Sequence, residues 1–177
     1  MIIGLAGVAR SGKDSFFQFC KDIKVNGRPN FRAAFADELK LELDPFLIKQ
    51  FNISSFTEHP KEKEIIRPIL VSYGMAKRQI SKGRYWVDKV KSKIEPIKNS
   101  HNCFITDVRF SNEVDQIKEL GGICIHIERL NNPPANEEEK KEDPIVKSKS
   151  DYRFKWGDFS QNSSPSETAI SYLKKMF

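Results

Sequence analysis

The chain has 177 residues, 38% of them hydrophobic and 31% charged, with a formal net charge of +6. That length suits one α/β domain with a modest insertion, and the longest apolar runs fall well short of the ~20 residues that span a bilayer, which excludes an integral membrane protein. The positive charge admits a nucleic acid, an anionic membrane surface or a polyphosphate ligand. Lys and Arg are scattered along the chain and no zinc-finger or RNA-binding signature accompanies them, so no specific nucleic-acid partner is expected.

The first residues, Met1-Ile-Ile-Gly-Leu-Ala-Gly, read as a strand rather than a signal peptide, so a cytoplasmic protein is expected. Cys20, Cys103 and Cys124 are odd in number and widely spaced, which predicts three core thiols and no zinc site or disulfide framework. After a glycine-rich turn, Phe16, Phe17, Phe19, Cys20 and Ile23 recur at helical spacing. Phe31 to Ala36 reads as a second strand, and Asp37 as the cap of a helix carrying Leu39, Leu41 and Leu43. The stretch 38–98 reads as mainly helical, interrupted near Pro45, His59-Pro60 and Gly83. Cys103 to Arg109 is a buried strand stopping at an acidic residue. A helix from Glu113 to Leu120 then ends at Gly121-Gly122, and Ile123 to Ile127 forms the next strand.

Residues 130–150 carry the run Glu137-Glu-Glu-Lys-Lys-Glu-Asp143 and few large apolar side chains, so they are expected to form a mobile, solvated surface excursion. Ser164-Pro165-Ser166-Glu167 supplies a capping serine, a proline at the first helical position and a capping-box glutamate for a closing helix with Ile170, Leu173 and Phe177 on its apolar face. Strands alternating with helices imply a parallel sheet covered on both faces, with ligands at the carboxyl ends of the strands.

Gly7-Val-Ala-Arg-Ser-Gly-Lys13 falls where the first strand passes to the first helix. There, backbone N–H groups and the helix dipole converge on phosphate oxygens. Gly7 and Gly12 permit the tight turn, and Lys13 would bridge the β- and γ-phosphates of ATP and follow the charge as it moves. Asp14 stands where most such loops carry the hydroxyl that binds magnesium, and Ser15 follows it. That leaves the protein ligand of Mg2+ open.

Three further segments accompany GVARSGKDS. They are Phe35-Ala-Asp-Glu-Leu-Lys40; Arg67-Pro-Ile-Leu-Val-Ser-Tyr-Gly74 with Tyr85-Trp86-Val87 after it; and Thr106-Asp-Val-Arg-Phe-Ser-Asn-Glu113. In this order the chain resembles the phage-type deoxynucleoside monophosphate kinases. The resemblance implies a three-layer P-loop kinase fold with a helical acceptor-binding insertion and a short lid, and transfer of the ATP γ-phosphoryl to a deoxynucleotide in the host cytoplasm. It implies that Gly12, Lys13, Asp14 and Ser15, in a loop shared with Gly7 and Arg10, hold ATP. Arg10, Arg67, Gly74, Trp86, Asp107, Arg109 and Glu113 would meet the acceptor, with Asp37 and Lys40 on the same side. Lys13, Arg109 and Asp107 would act at the transferring group, and Ser15 and Asp107 would serve Mg2+, Asp107 being equally open to an acceptor role.

The domain plan that follows is one P-loop kinase domain over 1–177. Its core comprises 1–37, 99–129 and 151–177, with a helical acceptor region at 38–98 and a lid-like excursion at 130–150. Arg129 is the lid-side candidate, and the turn Gln161-Asn-Ser163 is a loose match to an adenine-contacting loop. A homodimer is left open. Bland readings stand beside these: Arg67 in a surface ion pair, Trp86 in the core, Asp107 and Arg109 capping a turn, and His126 as a satisfied core histidine. Two rivals also remain. One is a P-loop kinase for dephospho-coenzyme A, an alcohol or a phosphorylated isoprenoid precursor, with Asp37 or Asp107 as base; the other is a nucleotide-binding or nucleic-acid-associated P-loop protein without kinase chemistry.

Overall fold

The computed structural model describes residues 1–157 and 164–177, and the turn at 161–163 lies outside the described residues. The elements follow in the order β1 (Ile2–Ala6), α1 (Lys13–Cys20), β2 (Asn30–Ala33), α2 (Phe35–Phe51), α3 (Pro60–Ile80) and α4 (Tyr85–Ile94). They continue with β3 (Asn102–Val108), α5 (Ser111–Glu119), β4 (Ile123–Arg129), α6 (Glu137–Lys149), β5 (Tyr152–Trp156) and α7 (Pro165–Met176). The chain divides into two compact units, 1–33 with 93–177, and 34–92.

The larger unit is a five-stranded sheet in the order β2-β3-β1-β4-β5, parallel throughout. β1 is buried at every residue because it lies at the centre, with Ile3 opposite Phe104 on one side and Ile123 on the other. One face packs Ile3, Leu5, Phe104, Ile125 and Phe154 against Phe16, Phe17 and Cys20 of α1 and Ala169 and Leu173 of α7. Phe154 meets Phe16, Trp156 and Tyr172 edge-on at 4.8–5.0 Å between ring centroids, the arrangement that the ring quadrupoles favour. The helices α5 and α6 cover the other face. This is the expected three-layer α/β architecture, and the strand order reverses beside β1, which opens a crevice at its carboxyl end.

All three cysteines are buried, and burial pushes Cys20 and Cys124 up to about 12, so these thiols are inert packing groups. The capping box predicted for α7 is present, Ser164 and Glu167 each accepting from the other's backbone N–H. Among the described residues no helix is long and apolar enough to cross a membrane.

The smaller unit is helical. Leu43 and Leu47 of α2 bury against Ile66 of α3, with Leu39, Ile69, Leu70 and Tyr73 around them. Pro45 was expected to interrupt this helix and does not. It removes one backbone donor, but burial of Leu43 and Leu47 on either side holds the turns together. The break comes instead at Asn52, which ends α2 with φ 54° and donates its N–H to the Ile48 carbonyl. Asp37 is not the cap of α2. Ala34 holds that position, and Asp37 lies in the first turn, where its charge still complements the helix dipole. The second strand likewise stops at Ala33, three residues early, because the chain turns into α2 at Phe35.

The excursion expected at 130–150 contains a 13-residue helix, α6, capped by Asn136 and held against the core. Its inward residues are Glu139, Glu142, Asp143 and Val146, a helical stripe made mostly of carboxylates. Each carboxylate has a partner. Glu139 takes the Arg109 guanidinium, Glu142 accepts from Ser111 N–H at the start of α5, and Asp143 bonds His126 at 2.9 Å. Lys147 and Lys149 pair outward with Glu128 and Asp115. The run is therefore divided: Glu137, Glu138, Lys140 and Lys141 are solvated as expected, while Glu139, Glu142 and Asp143 form a docking face.

Candidate phosphate-binding site

The loop between β1 and α1 forms at the central crevice. Gly7 leaves β1 with φ 129° and donates its N–H to the Val108 carbonyl at 3.2 Å. A Cβ at Gly7 would lie 2.5 Å from the Ile127 carbonyl oxygen, so only glycine fits between β1 and β4. Gly12, at φ 92°, is the other fixed point, because a Cβ there would stand 2.3 Å from the Trp156 indole nitrogen. The loop is thus floored by the end of β4 and walled by an aromatic from β5. Between the glycines, Arg10 is exposed and takes the left-handed conformation at φ 62°.

Lys13 opens α1 and is only 6% exposed. Its ammonium donates to the Gly7 and Val8 carbonyls, both at 2.7 Å, with Ser11 Oγ at 3.5 Å. Burial lowers its pKa from 10.5 to about 8. The Arg109 guanidinium pushes the same way, and Asp107, Glu139 and Asp14 oppose. Lys13 therefore remains mostly protonated at neutral pH, with its ammonium held on two loop carbonyls. Asp14 and Ser15 are exposed in the first turn of α1, with Asp14 3.4 Å from Arg32 of β2.

Asp107 and Arg109 lie at the carboxyl end of β3, beside the loop. Asp107 is half-buried and its charge reaches Lys13. Arg109 is bonded through Nη1 to Glu139 Oε1 at 2.9 Å, while its side chain stays 43% exposed. Glu113 lies nearby in another capacity: its carboxylate accepts from the N–H groups of Arg109 and Phe110 and caps α5, a structural task that occupies a buried side chain. Arg129, the last residue of β4, lines a pocket of about 570 Å³ with Leu130, Asn132, Lys155 and Trp156. Among the described residues no three His, Cys, Asp or Glu side chains form a metal cage. Mg2+ held chiefly by nucleotide phosphates needs no such cage, and of the two expected ligands Ser15 is exposed on α1 while Asp107 is half-buried at the end of β3.

The remaining expected residues belong to the helical unit. Lys40 lies on α2 with its ammonium 5.5 Å from the Phe56 ring centroid, and Asp37 is one turn before it. Arg67 is exposed on α3. Trp86 is 7% exposed, stacked edge-on to Tyr85 at 4.8 Å, and its indole N–H donates to the Gly74 carbonyl at 3.1 Å. Gly74 is also where α3 passes close to Leu39 of α2. Trp86 and Gly74 thus form one packing unit, with the polar edge of the indole already used. A polar knot lies beside them: Glu42 accepts from Tyr73, Tyr85, Lys77 and Lys89. Burial pushes Glu42 up, but these donors outweigh it and hold the carboxyl at about 2.

Three contributors were not anticipated. Trp156 belongs to β5, whose alternation Tyr152, Phe154, Trp156 is a period-2 strand signal. Asn132, which donates to the Ala9 carbonyl at 2.9 Å, has no signal of its own. Glu139 is concealed among like residues.

No family model matches the chain, and no curated protein does. Among solved structures it is similar to a shikimate kinase from Acinetobacter baumannii in complex with shikimate. The two share 11% sequence identity over 99% of this chain and 91% of that one, with a TM-score of 0.47.

Proposed function

We propose that this protein is an ATP-dependent kinase that moves the γ-phosphoryl group to the phosphate of a deoxynucleoside monophosphate. The observation that carries the proposal is Lys13. It is a protonated, nearly buried ammonium held on the carbonyls of its own glycine-rich loop, at the crevice of a parallel sheet, with Arg109 and Asp107 on the adjoining strand end. Backbone N–H groups and the dipole of α1 favour a polyphosphate there. The pocket between Arg129 and Trp156 is of a size to take the nucleoside, with the indole as a stacking face. Mg2+, held by Ser15 and Asp107, would neutralise charge on the transferring group.

An acceptor phosphate oxygen is already anionic, so the transfer needs no general base. The chain supplies alignment and positive charge. Lys13 exchanges its carbonyl partners for phosphate oxygens, and Arg109 presents guanidinium donors in a planar fork suited to phosphate. The sequence resemblance favours a monophosphate acceptor, with Asp37, Lys40 and Arg67 of the helical unit on the acceptor side. A coupled ADP-release assay with each of the four deoxynucleoside monophosphates tests this. The expected result is acceptor-dependent ADP formation with at least one of them. Folded protein that forms ADP only without acceptor, or only with an alcohol acceptor, overturns the monophosphate assignment.

A further inference from the structure

The acidic face of α6 does more than dock a helix. Glu139 is the most buried of its carboxylates, 5% exposed, and lies at the third position of the helix. A glutamate there ordinarily serves the helix start, and this one does accept from Ala135 N–H at 3.0 Å while its own N–H donates to Asn136 Oδ1. Two further bonds are outside that task. Oε2 also accepts from the backbone N–H of Ala9, inside the phosphate loop, at 3.1 Å, and Oε1 accepts from Arg109 Nη1 at 2.9 Å. Asn132 grips the same residue from its other end through the Ala9 carbonyl. The segment 132–139 therefore clamps the outer turn of the loop at Ala9, next to Arg10 in its left-handed conformation, which a residue with a Cβ holds only when its neighbours fix it. The same carboxylate fixes one edge of the Arg109 guanidinium.

We propose that Glu139 is a positioning residue of the phosphate site, which sets the outer turn of the loop through Ala9 and aims Arg109 at the transferring phosphoryl group. The part concerning Arg109 rests on the kinase reading above; the part concerning the loop requires only that the loop bind ATP. Two other roles make different predictions. A mere helix cap would leave catalysis untouched as long as the cap survived. An internal anion that competes with phosphate would make ATP bind more tightly once its charge was removed.

Glu139→Gln and Glu139→Ala separate these roles. Gln keeps an acceptor oxygen for the cap and for Ala9 N–H but removes the charge that holds Arg109; Ala removes both. For Glu139→Gln the expected result is a thermal midpoint and an ATP dissociation constant close to wild type, with kcat lower by between about tenfold and a hundredfold, the usual cost of a misplaced catalytic group. In an Arg109→Ala background that loss should shrink to less than about twofold, because the two residues act in series. For Glu139→Ala, ATP binding measured by calorimetry without acceptor should weaken about tenfold, the equivalent of one lost charge-assisted hydrogen bond.

The proposal is overturned by an unchanged kcat in Glu139→Gln, by an equal loss in the Arg109→Ala background, by tighter ATP binding in either variant, or by unchanged ATP binding in Glu139→Ala. If the wild type binds ATP but transfers to no acceptor, the kinase reading fails. The calorimetric comparison then decides the Glu139 assignment alone.

Discussion

The two units hold their charged groups in opposite ways. In the sheet unit Lys13 and Glu139 are almost wholly buried, and each is tied to backbone groups of the phosphate loop. Those bonds are fixed by strands that the core holds on both faces. In the helical unit the charges gather around Glu42, partly open to solvent and bonded to side chains alone, beside a small apolar cluster of Leu43, Leu47 and Ile66. A buried charge on rigid backbone gives a set geometry at the cost of desolvation, whereas a knot of side chains on packed helices costs less and adjusts more readily.

The comparison breaks most directly at the cores. Phe154→Ala should cost about 3–5 kcal/mol by denaturant unfolding, since it removes a ring at the centre of the aromatic cluster. Leu47→Ala should fall at the low end of about 2–5 kcal/mol, because the smaller apolar cluster around it collapses more easily into the gap. An equal or larger loss at Leu47 would show the helical unit to be the better packed of the two. Next in size, Lys13→Ala should reduce phosphoryl transfer by at least about a hundredfold while the circular dichroism spectrum is kept, as loss of one preorganised donor to developing charge does. Survival of full activity would remove the loop from the site.

The buried lysine also predicts a pH dependence of stability. Its pKa is about 8 folded and 10.5 in the open chain, so the unfolded state holds more protons between those values. The cost of burying the ammonium, of order 3 kcal/mol, is present in full below pH 8 and disappears as the pH rises to 10.5. Wild-type stability should therefore gain on Lys13→Met across that window, and a constant difference between the two would contradict the burial. The smallest effect belongs to Glu42, whose carboxyl is depressed to about 2. Its stabilisation is complete above pH 4.5 and is lost as the pH falls toward 2. It amounts to about 1–2 kcal/mol once solvent screening is allowed for. Glu42→Gln should flatten that part of the acid unfolding curve.

Much of the sheet unit was legible because its signals are local. Apolar runs ending at Gly7 and at Asp107, helical spacing from Phe16, and the Ser164 capping box each require only a few neighbouring residues to read, and the first helix begins where the loop pattern places it. Pro45 misled because the penalty of proline is local, whereas the burial of Leu43 and Leu47 that overcomes it is not. For Trp86 the sequence allowed an acceptor contact or a place in the core; its side chain is buried and its N–H is spent on Gly74, a partner 12 residues away.

The order of residues along the chain by itself determined the alternation of strands and helices, the phosphate loop and the caps, since these depend on backbone geometry and on contacts a few residues apart. Only the tertiary structure decided that Glu139, Glu142 and Asp143 of the acidic stretch after β4 face inward. Hydrophobic periodicity registers burial by exclusion from water, and a carboxylate is buried only when a cation or N–H group stands ready to receive it. For Glu139 one such partner, Ala135, is local, but Ala9 and Arg109 are 130 and 30 residues away, and nothing near Glu139 in sequence announces them.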